Sequence, residues 1–260
     1  MGWQWKEEHL DLILVPLGFS IMCIYHIFLL HIYNKCHTQT AIGYENDNKE
    51  AWAEKMLELR NTERGFAASV LNGHLTAAST LSSISLVLCS LIGALLGNSS
   101  NFLTDSFILG NASRSTRTIK YMAVLSCFFV AFVCFVQTSR HFVHGSFLLC
   151  MPVDDKDGEV VKCLRKAVKR GSIFWAFGLR ALYFATTLLL WIFGPIPMFV
   201  GSVATVVLLY NLDFNKETGK ITYEQSSKSE HNTKSNGVEN GVLASGTDAS
   251  IDIQDAVLRN

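Results

Sequence analysis

Two uncharged apolar runs of 22 residues, Leu12 to Tyr33 and Leu75 to Leu96, constrain the fold of this chain more than any other feature. A bilayer hydrocarbon core about 30 Å thick requires about 20 apolar helical residues, so each run is long enough to cross a membrane. A third run, Tyr121 to Thr138, has 18 residues and is bounded by Lys120 and Arg140, which mark the headgroup regions. These runs predict three transmembrane helices.

The last apolar segment, 172–210, is too long for one crossing at about 1.5 Å per residue. The sequence Gly194 to Pro197 interrupts it, and proline cannot donate an interior helical hydrogen bond, so a tight turn is expected there. We therefore predict a fourth span over 172–193 and a fifth over 197–212. At 16 residues the fifth span is short, which leaves four crossings and a re-entrant helix as the alternative.

The distribution of Lys and Arg predicts the orientation. With the tail counted only as far as Lys228, five crossings place fifteen of these residues on one side and four on the other, whereas four crossings give twelve against seven. Because short cytoplasmic loops carry the excess of basic residues, we expect the N-terminus outside or lumenal and the C-terminus in the cytoplasm. The two N-x-Ser/Thr sequons, at Asn98 and Asn111, fall in a loop assigned to the outside, and Asn111 is the candidate glycosylation site.

The remaining segments predict one amphipathic helix and a tail. Residues 49–68 form an apolar stripe beside a charged face, and Asp47 with Glu50 resembles a capping box. We expect this helix on the cytoplasmic membrane surface or packed beneath the spans, with partner binding as the alternative. Residues 215–260 are polar and predict a disordered cytoplasmic tail. The predicted fold is an all-α integral membrane helical bundle over 1–214.

A few polar residues inside the spans are the candidate functional residues. Arg180 is a charge within the fourth span, where such residues face a bundle interior, a cavity or a partner. No carboxylate lies deep in a predicted span, so Tyr25 or backbone carbonyls are its expected partners, with snorkelling to the interface as the alternative. His26 and His74 are candidates for polar contacts between helices. The small and hydroxylated residues of the second span predict a central packing helix, with a pore lining as the alternative.

Recognised catalytic motifs are missing from the sequence. It has no Gly-rich phosphate loop, nucleophile elbow or H-E-x-x-H motif, so we predict no catalytic residues and no cofactor, and favour a protein without enzymatic activity. His141 and His144 would share a helical face, but nothing supplies further ligands, so no metal site is predicted. The seven cysteines form no C-x-x-C pair, and we expect no disulfides.

Charge also limits the partners. Twenty-two basic residues balance twenty-two acidic ones, which gives no basic field for nucleic acid. The basic run Lys162 to Arg170 precedes the fourth span and is a candidate site for anionic lipid, although ordinary topogenic charge is the favoured explanation. A homo-oligomer is a further candidate, since five helices from each copy would be enough to build a conduit.

Several short motifs resemble one family. The motifs that carry the resemblance are Tyr25-His26, Leu59-Arg60-Asn61, the run Phe142 to Phe147, the run Trp191 to Met198 with its G-P-I-P-M turn, and Leu212-Asp213. Through them the chain resembles the plant multi-pass membrane proteins of domain-of-unknown-function family five hundred and ninety-nine. The resemblance covers about residues 5–215 and implies a helical membrane protein from a plant, with no established activity. Our first hypothesis is a non-enzymatic organiser of partners or lipids. The alternative is a small-solute or ion transporter or channel subunit that uses Arg180, Tyr25 and the second span.

Overall fold

The structure is a computed structural model that describes residues 7–36, 39–58, 64–97, 114–151 and 158–214. Within these ranges the chain is helical and has no strand. The helices are α1 (Glu7–Lys35), α2 (Ala41–Glu58), α3 (Arg64–Gly97), α4 (Arg114–Cys150), α5 (Glu159–Phe193) and α6 (Pro195–Phe214). All except α2 are long and apolar enough to cross a membrane, which confirms the predicted all-α bundle of five spans. The predicted tail and Asn111 lie outside the described residues.

The spanning helices are longer than the apolar runs that predicted them. Helix α3 has 34 residues, about 51 Å at 1.5 Å per residue, and so extends beyond a hydrocarbon core of about 30 Å. Helix α6 has 20 residues instead of the predicted 16, which is long enough for a full crossing. It begins at Pro195, directly after Gly194, whose φ of 152° and N–H bond to the Leu190 carbonyl end α5. Helix α6 therefore meets the length requirement that left the fifth span in question.

The structure places α2 earlier than the amphipathic pattern predicted. The helix begins at Ala41 rather than at 49 because Thr40 caps it: the Gly43 N–H donates to Thr40 Oγ1 at 3.2 Å. The Tyr44 N–H donates to the Thr40 carbonyl at 3.0 Å and closes the first turn. Asp47, the predicted capping residue, is in the helix interior, and residues 64–68 belong to α3. The segment predicted as one helix thus contributes to two.

Helix α5 lies at the centre of the bundle, packed against α2, α4 and α6, while α1 pairs with α6. The prediction that the second span is the central helix is wrong, because α3 packs principally against α4 at the edge. Its hydroxyls are satisfied within the helix: Thr76, Thr80 and Ser83 are exposed and each donates to the carbonyl four residues earlier. Small residues permit close helix packing but do not require it.

Glycines in α5 bring α4 and α5 together. A Cβ at Gly178 would lie 2.8 Å from the ring of Phe135, and a Cβ at Gly171 would lie 3.1 Å from the ring of Phe142. Both rings are buried, and Phe135 also meets Trp175 edge-on with the ring centroids 5.6 Å apart. The aromatic residues of α4 therefore pack directly on the backbone of α5, which fixes where Arg180 lies.

Candidate functional site

A buried ion pair joins α5 to α6. The Arg180 Nη2 donates to Asp213 Oδ1 at 2.8 Å and to Asp213 Oδ2 at 2.9 Å. The side chains are only 14% and 7% exposed, respectively. An arginine and a carboxylate this well buried must neutralise each other, because either charge alone would be costly to desolvate. The pair fixes the C-terminal end of α6 against α5.

Two residues of α1 complete what we name the arginine cluster: Tyr25, His26, Arg180 and Asp213. The Tyr25 hydroxyl donates to Asp213 Oδ2 at 2.5 Å. His26 Nδ1 lies 2.7 Å from the Met22 carbonyl, so this nitrogen carries the proton and donates. That tautomer leaves Nε2 to accept from Arg180 Nη1 at 3.4 Å. The cluster thus connects α1, α5 and α6 by side-chain hydrogen bonds.

The sequence identified three members of the arginine cluster and missed the fourth. Arg180, Tyr25 and His26 lie together, but the main partner of Arg180 is Asp213, a carboxylate one residue beyond the predicted spans, rather than Tyr25 or backbone carbonyls. Asp213 follows the predicted end of the last span by one residue, and its signals in the sequence were that position and the family-like pair Leu212-Asp213. His74 is elsewhere: its ring stacks on Phe142 of α4, with the centroids 5.5 Å apart.

A cavity of about 210 Å³ opens beside the arginine cluster, between α2, α5 and α6. No residue of α3 lines it, so the polar face of the second span is not part of this site. The lining residues are Ala41, Ile42, Glu45, Asn46 and Lys49 of α2, Ser172, Trp175, Ala176, Leu179, Arg180 and Tyr183 of α5, and Leu209, Leu212 and Asp213 of α6.

Two side chains in the cavity wall are buried without a hydrogen-bond partner. Asn46 is 3% exposed and Ser172 is 4% exposed, yet neither Asn46 Nδ2 nor Ser172 Oγ has a partner. Leaving a buried polar atom unsatisfied costs about 1–3 kcal/mol, and native structures contain few such atoms. Their position in the wall of an open cavity indicates a site that a polar ligand would complete.

A second polar cluster lies at the opposite end of the bundle. Trp191 Nε1 donates to Asp11 Oδ1 at 3.2 Å, and Lys120 Nζ lies 3.9 Å from Asp11 Oδ2. Lys120 Nζ is also 5.3 Å from the centroid of the Trp191 ring. This cluster links α1, α4 and α5, so α1 and α5 contribute side chains to both polar clusters.

Two residues of the basic run Lys162 to Arg170 form ion pairs with α2. Lys169 Nζ lies 2.6 Å from Glu50 Oε1, and Arg165 Nη2 lies 3.4 Å from Glu50 Oε2. Lys166 and Arg170 are exposed. The acidic face of α2 therefore holds this helix on α5 through Arg165 and Lys169.

His141, one of the histidines considered for metal binding, packs against an aromatic ring. Among the residues that the structure describes, no group of three or more His, Cys, Asp or Glu side chains is arranged to hold a metal ion. The ring of His141 stacks on Phe174, with the centroids 5.7 Å apart and the rings 14° from parallel. A stacked ring of this kind serves packing between α4 and α5.

Comparison with known proteins gives the family. The model for the family described as "Protein of unknown function, DUF599" matches residues 13–218, which include all five spanning helices from residue 13 onward. The chain belongs to this family. No curated protein and no solved structure matches the chain. The match includes the arginine cluster and the residues of the cavity, and the family description assigns no activity to them.

Proposed function

We propose that this multi-pass membrane protein is a small-solute carrier, or a subunit of one, whose solute enters the cavity between α2, α5 and α6. The observation that carries the proposal is the pair of buried, unpartnered side chains, Asn46 and Ser172, in the wall of that cavity. The hypothesis of an organiser of partners or lipids does not explain why these two atoms lack partners. A solute that forms hydrogen bonds with them does.

The arginine cluster supports the same proposal. Charged residues in transmembrane helices commonly border substrate pathways, and both Arg180 and Asp213 line the cavity. Because the two charges neutralise each other, their burial beside the cavity is compatible with a membrane environment. The cluster also holds α1, α5 and α6 together at the end where the cavity opens, so a movement of these helices would change access to it.

We propose that the end of the bundle containing α2 and the cavity is cytoplasmic, as the excess of Lys and Arg predicts. At that end, the exposed side chains of Lys166 and Arg170 are proposed to bind anionic lipid headgroups. A plant origin and association of several copies remain predictions from the sequence.

Labelling of cysteines tests this orientation. Cys36, Cys150 and Cys163 are exposed at the α2 end of the bundle. A membrane-impermeant maleimide should therefore label all three in inside-out vesicles and none in intact cells. Cys127, partly buried within α4, serves as the internal control and should react slowly from either side. Labelling of Cys163 only from outside intact cells would reverse the orientation.

Filling the cavity tests the carrier function. Ala176 lines the cavity, so Ala176→Trp should occupy the solute's space without removing a polar group. We expect the variant to lose at least about tenfold of the flux through proteoliposomes, since even 1.4 kcal/mol of lost binding is tenfold. The measurement uses radiolabelled phosphate, malonate and glycerol, one at a time.

The matched control is Ala204→Trp, the same change at an exposed position of α6. It should transport like the unmodified protein. If none of the three probes crosses faster than in empty liposomes, or if both variants lose flux equally, the proposed carrier function is wrong for these solutes and this cavity.

A further inference from the structure

We infer that the solute of this cavity is a small anion, whose carboxylate or phosphate group is bound by Asn46, Ser172 and the first turn of α2. That the bound anion is also transported rests on the proposed function. That the cavity binds an anion is argued from the cavity alone. Three independent features of the cavity support it: the orientation of a helix, the chemistry of the unpartnered atoms and the balance of charge.

The first feature is the N-terminus of α2. Ala41 and Ile42, the first two residues of this 18-residue helix, line the cavity. The N–H groups of a first turn have no acceptor within the helix, and the helix dipole makes this end positive. Thr40 satisfies the N–H of Gly43 but not the whole turn. An anion at the Ala41 end of this wall is stabilised by both effects, and the wall continues along the side of α2 to Lys49.

The second feature is the pair of unpartnered atoms. An amide Nδ2 can only donate, so Asn46 requires an acceptor on the ligand. Ser172 Oγ is also able to donate, and Ser172 lines the cavity from α5 rather than from α2. A ligand with several acceptor oxygens, such as a carboxylate or a phosphate, satisfies donors from two different helices at once.

The third feature is the charge around the cavity. Asp213 is a buried carboxylate in the wall, but it is neutralised by Arg180 and accepts a bond from Tyr25. Lys49 also lines the cavity and is paired with Glu45 at 2.6 Å, and the Glu45 side chain is 62% exposed. Glu45 lines the cavity too, but water weakens an ion pair with so exposed a partner, so little free energy is lost when the Lys49 ammonium turns from Glu45 to a bound anion. A bound anion can therefore pair with Lys49, and the buried carboxylate in the wall, Asp213, is already neutralised by Arg180.

The volume of the cavity, about 210 Å³, suits a small anion such as phosphate or a short dicarboxylate. Trp175 and Tyr183 supply apolar surface for a short carbon chain. The phosphate of a lipid headgroup presents the same acceptor oxygens and reaches the cavity from the membrane.

Binding to the full-length protein in detergent tests the inference. Inorganic phosphate and malonate are titrated while the melting temperature and the Kd are measured, with glycerol as the neutral probe. We expect phosphate or malonate to bind and glycerol not to bind. Ser172→Ala and Asn46→Leu should each weaken the anion at least about tenfold. The same variants, without ligand, should melt at a higher temperature because a buried unpartnered atom has been removed.

Ser90→Ala is the matched control, because Ser90 is exposed on α3 and donates to the Leu86 carbonyl within its own helix. This variant should bind like the unmodified protein. Equal binding of glycerol and the anions, or anion binding that Ser172→Ala and Asn46→Leu leave unchanged, would overturn the inference. A simple loss of folding is recognised because it lowers, rather than raises, the melting temperature of the empty variant.

Nanodiscs distinguish the two sources of phosphate. If soluble anions do not bind, but phosphatidic acid in phosphatidylcholine nanodiscs raises the melting temperature of the unmodified protein and not that of Ser172→Ala, the bound anion is a lipid headgroup. If neither soluble anion nor phosphatidic acid has an effect, there is no anion site. Anion binding without flux in proteoliposomes contradicts the carrier function alone, whereas flux of glycerol without anion binding contradicts this inference alone.

Discussion

Asp213→Leu is expected to reduce the free energy of unfolding by about 3–5 kcal/mol, because it leaves Arg180 buried without its counter-charge. Arg180 is 14% exposed and donates two hydrogen bonds to Asp213, so water cannot simply replace the carboxylate. Tyr25 loses its acceptor in the same variant. Thermal and denaturant unfolding in detergent measures the loss. Asn211→Leu, an equivalent change at an exposed position of the same helix, should change stability by about 0.5 kcal/mol or less.

The double variant Arg180→Met with Asp213→Leu separates a true pair from two independent residues. Replacing both partners of a buried pair by apolar groups of similar size is often neutral, so the second substitution should restore most of the stability that the first removed. If Asp213→Leu alone has no measurable effect, Arg180 has reached the headgroups by snorkelling, and the buried pair does not hold α6 to α5.

The spans were predictable because apolar length is a local property of the sequence. The runs ending at Tyr33, Leu96 and Thr138 each lie within a spanning helix, and the Gly-Pro turn separates α5 from α6. The ends of the helices were less predictable, since the hydrocarbon core constrains only the apolar part of a helix. Helix α2 is the clearest case. It begins where the Thr40 hydroxyl caps its first turn, whereas the amphipathic stripe begins only at 49 and so does not indicate the start of the helix.

The candidate site required distances between helices, which periodicity does not contain. The cost of a charge in a span identified Arg180, and proximity in sequence linked Tyr25 to His26, but nothing in the chain connected either to Asp213, 33 residues beyond Arg180. The cavity depends on α2 lying across α5 and α6, a placement supported by ion pairs such as Lys169 with Glu50. Asn46 and Ser172 look like ordinary polar residues in the sequence, and only their burial without partners distinguishes them.

Phe135→Ala is expected to reduce the free energy of unfolding by about 3–5 kcal/mol, as much as Asp213→Leu, because removal of the ring leaves a cavity between α4 and α5. The Phe135 side chain is fully buried, and its ring lies against Gly178 and Trp175. In a membrane the association of helices depends on close packing rather than on exclusion of water, so lost contacts are felt directly. Phe129→Ala, on the same helix at a position that is 58% exposed, should change the free energy of unfolding by about 0.5 kcal/mol or less.

A double-mutant cycle with Gly178→Leu shows whether the ring and the glycine are complementary. Alone, Gly178→Leu should destabilise by about 1–3 kcal/mol, because even a Cβ there would lie 2.8 Å from the Phe135 ring. In the Phe135→Ala background the leucine enters the space that the ring has left, so the double variant should be more stable than the sum of the single losses predicts. Strictly additive losses would show that the two positions do not touch. Arg180 lies two residues after Gly178, so such a result would also contradict the packing that positions the arginine cluster.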